Sequence, residues 1–194
     1  MGSRSSIIEV LTADHRKIQR LFDRIRSSAP GSGERRTLVE QVSVSLVRHS
    51  VAEKEYLYPA VRRFVADGAA WADRELTGHR RIEELLKSLE AQESGSEEFT
   101  QLLLSVITRV TEHVVEEEQL LFPRLQAVCP ADVLRDLGTK VRDTEASAPT
   151  RPRPGAPESA ALVKATAQAW GPWDRLRDLV TRRGRRPDRR GRRT

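Results

Sequence analysis

The sequence predicts an all-α protein: an up-down-up-down four-helix bundle with extra helices at its C-terminal end. Three observations carry that prediction. Apolar residues recur at helical spacing through most of the chain. They are chiefly Leu, Val, Ile and Ala, with aromatics at only 5%, which suits helix packing better than a β-sandwich. No segment shows the two-residue alternation of a half-buried strand. At 194 residues the chain has room for one domain plus an appendage.

The first helix is expected over residues 6–27, with Ile7, Val10, Leu11, Ile18, Leu21, Phe22 and Ile25 as its apolar stripe. Pro30-Gly31-Ser32-Gly33 breaks it. A second helix runs over 34–66 on Leu38, Val42, Leu46 and Leu57, and Pro59 should kink it or end it locally. Asp67-Gly68 closes that element. A third helix spans 70–92, with Leu76, Ile82, Leu85, Leu86 and Leu89. The turn at 93–96 leads into a fourth, carrying Leu103, Ile107, Val110, Val114, Leu120 and Leu121, with Pro123 near its end. A shorter helix over 130–142 follows. Residues 1–146 thus form the domain, and 147–159 read as a Pro-rich linker. Residues 160–183 form an amphipathic helix interrupted at Gly171-Pro172, with Trp170 and Trp173 as packing anchors, and 182–194 form a disordered Arg-rich tail.

The net charge of +6 is unevenly spread. Residues 147–194 hold 13 Arg and Lys against 4 Asp and Glu, which leaves 21 basic and 24 acidic residues in 1–146. Only the tail, then, gives a reason to consider nucleic acid. The single cysteine, Cys129, excludes an intrachain disulfide and Cys-based zinc chemistry, and reads as a small buried apolar residue. The N-terminus lacks an apolar signal region and no run approaches the ~20 residues of a membrane span. The opening Met1-Gly2 matches a myristoylation pattern that is frequent by chance. The expected location is cytoplasmic.

Offsetting the sequence against itself by 64 residues exposes an internal repeat. His15-Arg16 overlays His79-Arg80, and His49-x-x-x-Glu53-x-x-x-Leu57-Tyr58-Pro59 overlays His113-x-x-x-Glu117-x-x-x-Leu121-Phe122-Pro123. All four histidines of the chain lie on it. A His and a Glu four residues apart share one helical face, roughly 6 Å apart along the axis. With His15 and His79 on the other two helices, four imidazoles and two carboxylates converge on the bundle axis.

Such a set suits a pair of cations with carboxylates placed to bridge them, ~3.5–4 Å apart. Imidazole and carboxylate without thiolate disfavour Cu(I) and structural zinc. Two Fe ions are the expected occupants, and manganese or zinc satisfies the same spacing. The repeat is imperfect at one place: Glu75 stands where its partner position holds Leu11. Glu75 lies four residues before His79, so one metal would gain an extra carboxylate and the uneven pair would leave an open position.

Ordinary explanations compete with each assignment. A lone His is usually a cap, a surface group or a satisfied core residue, but four matched ones with Glu at i+4 are hard to explain that way. Glu53 and Glu117 sit in charged neighbourhoods that could be solvated, and Asp73-Arg74-Glu75 could face water. Tyr58 and Phe122 share a register and read first as core; Tyr56 or Tyr58 as a ligand is the lesser reading.

The order H…HxxxE…H…HxxxE, here His15, His49-Glu53, His79 and His113-Glu117, resembles the hemerythrin-like HHE cation-binding family over residues 6–142. A member of that wider family is a standard example of a four-helix bundle. The resemblance implies a non-haem di-iron site that meets O2, peroxide or nitric oxide. By resemblance, the four histidines are ligands and Glu53 and Glu117 bridge. Two positions depart from the oxygen carriers. Glu75 occupies the place of their fifth histidine. Their Asp five residues after its His is replaced by Glu117 at four, with Glu118 at five. Both departures point away from reversible carriage and towards redox turnover, including catalase-like use of peroxide. The competing expectation is a non-enzymatic iron or oxygen sensor that signals through the basic tail. Nucleic-acid or membrane contact would also run through that tail, while packing of the amphipathic helix back on the bundle is the more ordinary reading.

Overall fold

The structure is a computed structural model that describes residues 5–155, 160–181 and 183. Helix α1 (Ile7–Arg26) starts at a capping box: the Ser6 hydroxyl accepts from the Glu9 N–H, and the Glu9 carboxylate accepts from the Ser6 N–H at 2.7 Å. Its buried stripe runs Ile7, Leu11, His15, Ile18, Phe22, Ile25. Helix α2 (Gly33–Ala52) is capped by Ser32, and α5 (Glu97–Glu116) by Ser96, each hydroxyl accepting from the N–H three residues on. Between them stand α3 (Tyr58–Phe64) and α4 (Gly68–Ala91). The second half closes with α6 (Phe122–Val128), followed by α7 (Ala131–Ser147) and α8 (Ala160–Thr181). No strand occurs among the described residues.

Pro59 and Pro123 do not end their rods. Upstream of each, the helix widens into one π turn, Glu53–Leu57 and Glu117–Leu121, and the next N–H (Tyr58, Phe122) bonds back five residues to the carbonyl of the glutamate. Each proline then falls in the first turn of the resumed α-helix, where a missing N–H costs nothing. Four rods result: α1, α2–α3, α4 and α5–α6. The connections are short. In the first, Gly31 adopts φ +71°, and the repeat-related Gly95 of the second long connection lies against it. A Cβ on Gly68 would lie 2.0 Å from the Val61 carbonyl oxygen, so the tight α3–α4 corner requires glycine.

The core is two apolar clusters separated along the axis. One holds Ile18, Phe22, Leu38, Leu86, Phe99 and Leu103 towards the long connections. The other holds Ile7, Leu11, Leu57, Val61, Leu121 and Leu125 at the opposite end. In each rod the histidine falls between residues of the two clusters, so the imidazoles occupy a polar layer with apolar packing above and below. Cys129 is buried in the second cluster.

Helix α7 extends past its expected end and packs on α1 and α2. Gly138 permits it: a Cβ there would meet the Ser5 carbonyl oxygen at 2.3 Å. Helix α8 runs through Gly171-Pro172 without the expected interruption. Pro172 is exposed, where the carbonyl freed by its missing N–H can meet water. The helix lies back against α7 and the first π turn, but its larger apolar residues are not what it buries. Val163 and Asp174 turn inward, while Leu162, Leu176, Leu179 and Trp173, the last 72% exposed, face outward. Trp173 is therefore no packing anchor; Trp170 is half-buried with the Arg153 guanidinium over its ring. Of the 182–194 tail expected to be disordered only Arg183 is described, paired with Glu90; the rest of it and the Met1-Gly2 pattern lie outside the described residues. No described helix is long and apolar enough to cross a membrane.

Candidate metal centre

The residues of the repeat meet. His15, His49, Glu53, Glu75, His79 and Glu117 are each 3% exposed or less, and His113 is 8% exposed. The Nε2 atoms face one another in two pairs: His15 with His49 at 3.0 Å, and His79 with His113 at 3.2 Å. Glu53 spans them, with Oε1 3.0 Å from His49 and Oε2 3.2 Å from His79. Oε2 of Glu117 lies 3.5 Å from His15 and 3.7 Å from His113. Three overlapping donor groups emerge, His15–His49–Glu53–Glu117, Glu53–His79–His113 and Glu75–His113–Glu117.

The donors fit cations on grounds beyond residue type. Both oxygens of Glu53 and Oε2 of Glu117 are fully buried without a hydrogen-bond donor. A buried carboxylate left so is strongly disfavoured. Facing imidazole nitrogens cannot all be lone pairs without a positive centre between them. Metal cations held among these donors would resolve both problems.

The far edges of the rings decide which nitrogen points inward. Nδ1 of His15 donates to Glu118, and Nδ1 of His113 donates to Glu75, both at 2.8 Å. Nδ1 of His79 lies 2.9 Å from the Ser50 hydroxyl. The two carboxylate contacts place the proton on Nδ1 of His15 and His113 and leave their Nε2 lone pairs for the centre. Nδ1 of His49 has no hydrogen-bond partner. Glu75 is thus brought to the site with one oxygen on the outer edge of His113 and its other oxygen, Oε1, buried without a partner. It faces His113 of the neighbouring rod, in addition to sharing a helix with His79. Glu118 does for His15 what Glu75 does for His113, although the two are not repeat partners.

Tyr58, for which a polar role was the lesser reading, reaches the site. It is core, as its register implies, yet its hydroxyl lies 3.0 Å from Nε2 of His79 and donates to Oε1 of Glu117 at 3.3 Å. The repeat-related Phe122 stacks flat on His15, at 5.9 Å between centroids. Tyr56 points elsewhere, bonding Thr144. A pattern of ligand types could not find Ser50, because its counterpart, Val114, is apolar.

Electrostatics divide the imidazoles. Burial drives His49 down to about 3, helped by the neighbouring charge of His15. His79 is likewise held well below the usual range by burial and by His113. Burial also opposes charge on His113, but Glu117, Glu75 and Glu53 outweigh it and lift it to about 10. His15 is raised for the same reason, by Glu117 and Glu53 against burial. Burial raises both Glu53 and Glu117. It also raises the Tyr58 phenol well above its ordinary value, with Glu53 and Glu117 adding to the effect, so that hydroxyl keeps its proton.

The first π turn is tied to the C-terminal segment by a chain of buried charges. Lys54 donates to Glu83 at 2.8 Å, and the other oxygen of Glu83 accepts from the Arg153 N–H. The Arg153 guanidinium forks onto Asp174 of α8 at 2.6 and 2.9 Å. Asp174 also accepts from the N–H groups of Thr150 and Arg151.

Known proteins agree with this arrangement. A hemerythrin HHE cation-binding domain-containing protein from Mycobacterium kansasii has a crystal structure that superposes with a TM-score of 0.65, at 23% identity, over 83% of this chain and 99% of that one. At that identity the likeness is one of fold. A protein from Nostoc sp. called a DNA nickase is 29% identical over 122 residues, which is 62% of this chain. The present chain spans 34% of that relative's length. Residues 6–125, more than half of the chain, match the family described as the hemerythrin HHE cation binding domain. This metal-binding bundle belongs to that family.

Proposed function

We propose that the chain is a non-haem di-iron protein that handles O2, peroxide or nitric oxide, with catalase-like turnover of peroxide. The observation that carries this reading is the uneven set of donor groups, bridged by Glu53 and Glu117 and flanked on one side only by the Tyr58 hydroxyl. Iron bound there would supply Lewis acidity and electrons. The residues supply the rest. Glu75, Glu118 and Ser50 hold three imidazoles in one orientation. The apolar clusters on either side exclude water. Tyr58, protonated across the physiological range, offers a proton donor within reach of any ligand placed between His79 and Glu117. Manganese would fit the same donors. Oxygen evolution from peroxide by the iron-loaded protein, measured with an electrode, tests the reading. Turnover no faster than that of free iron, in a protein with two irons per chain, would remove the enzymatic part.

A sensor is the second reading, favoured by the Lys54–Glu83–Arg153–Asp174 chain. It couples the turn that carries Glu53 to the helix that leads into the basic tail. The name of the Nostoc relative makes nucleic acid the partner to try. Under this reading the full-length protein binds DNA with a salt-dependent affinity that differs between its oxidised and reduced iron forms. Equal affinity in the two forms counts against it.

A further inference from the structure

A cleft of about 580 Å³ is lined by residues of α1, α2 and the C-terminal part of α8. Its size is that of a small-molecule site. Six cationic side chains line it: Lys17, Arg20 and Arg24 from α1, Arg48 from α2, and Arg175 and Arg183 from the C-terminal segment. Helical register puts them there. Positions 17, 20 and 24 share one face of α1, and 175 and 179 share one face of α8, with Arg183 in the turn beyond it. One acid lines the cleft, Asp178, and its carboxylate is already engaged by Thr150 and Arg151.

So many like charges around one hollow repel one another and are stabilised by an anion placed among them. Some are compensated: Arg183 pairs with Glu90, and Arg24 lies 3.9 Å from Glu34. Lys17, Arg20 and Arg175 have no acidic partner among the described residues, and one guanidinium nitrogen of Arg175 is buried without a hydrogen bond. The remaining lining is aliphatic or small and polar, including Leu21, Val44 and Ser45, with no aromatic ring on which a base could stack. Arginine forks suit phosphate oxygens, and their spread across three elements suits an anion bearing several of them.

We propose that this cleft is a binding site for a di- or triphosphate group, recognised by its phosphates rather than by any base attached to them. The site needs no metal in the bundle, so the proposal stands apart from the iron chemistry. Because α1, α2 and α8 line it jointly, occupancy ties α8 to the bundle.

Calorimetric titration of the full-length protein with sodium tripolyphosphate and with ATP tests it. The expected result is one saturable site per chain, with the two ligands competing and nearly equal in affinity. Arg20→Glu and Arg175→Glu should each weaken binding by about tenfold or more, as loss of a charge-assisted contact does. Arg109→Glu, an equal charge change at an exposed position lining a different hollow, should leave it unchanged. Lys17 and Arg20 are exposed, so Lys17→Ala and Arg20→Gln test the site without threatening the fold. Absence of saturable tripolyphosphate binding overturns the proposal. So does binding that Arg20→Glu, Arg175→Glu and Arg109→Glu weaken equally, or strong binding of oligothymidylate that tripolyphosphate does not displace.

Discussion

The hydroxyl of Tyr58 lies 3.0 Å from Nε2 of His79, at the one corner of the metal centre where a phenol replaces a phenyl ring. The repeat partner Phe122 presents only a face, stacked on His15. Substituting Tyr58→Phe would therefore make the two halves alike. The fold and metal content should survive, since the ring stays in the core. Peroxide turnover should fall by about 100-fold, the low end of what a positioned proton donor supplies. Oxygen-electrode rates beside metal analysis check this. Unchanged turnover would show that the hydroxyl is only a buried polar group satisfied by Glu117.

Glu75 and Glu118 each anchor one imidazole from behind, at 2.8 Å. Glu75→Gln and Glu118→Gln should each lower metal affinity about 10- to 100-fold with little change in helicity. Competition against a chromophoric chelator reads the affinity. A Glu75→Leu variant, which copies Leu11 of the other half, should be the weakest binder of the three.

Metal uptake should release protons at neutral pH. His113 is lifted to about 10, so in the metal-free protein it carries a proton that a cation must displace. Addition of Zn²⁺ in weak buffer at pH 7.5 should liberate about one proton per chain from this residue, seen with an indicator dye. The same shifts set the stability of the metal-free form. The contribution of His113 is whole below the ordinary imidazole value of 6.5 and is lost as pH rises through about 10. That of His49, depressed to about 3, is whole above 6.5 and is lost as pH falls through about 3. The two together place the stability maximum of the metal-free protein between these limits, near neutrality. Thermal melts across pH, with and without metal, would show it, and metal should flatten the alkaline limb.

Lys54 and Glu83 form an ion pair at 2.8 Å in which both residues are less than 9% exposed. Lys54→Met leaves the Glu83 carboxylate with a single backbone donor. It should cost about 3–5 kcal/mol, as removal of one member of a buried pair does. The double change Lys54→Met with Glu83→Leu should recover part of that loss. Denaturant melts of the three variants decide the matter; if the single change costs less than the double, the pair is not what holds the turn.

Much of this was legible in the residues themselves. Apolar spacing located four rods, and the offset of 64 brought together the seven residues at the centre. What stayed hidden belongs to tertiary packing. A proline inside a helical pattern reads as a break, yet Pro59 and Pro123 sit harmlessly because a widened turn precedes each. The amphipathic pattern implied a tail helix packed on the bundle with Trp173 as an anchor, but the inward face of α8 is set by Asp174 meeting Arg153, and Leu162, Trp173, Leu176 and Leu179 face outward. Pairing of that kind depends on partners distant in the chain. The carboxylate facing His113 was found as a residue, while its seat on the outer edge of the ring needed coordinates.

The two π turns carry one further implication. A π turn packs one more residue into a coil than an α turn does, so it works as a phase shifter between the two segments it joins. Upstream phase aims His49 and His113; downstream phase aims Tyr58 and Phe122. Winding either stretch as plain α-helix with all its residues kept would swing everything beyond it by about 100°. The phenol would leave the axis while the imidazole stayed. The extra residue and the widened turn thus cancel each other, and a one-residue deletion within 54–56 should straighten the turn while His49 and Tyr58 stay aimed at the centre.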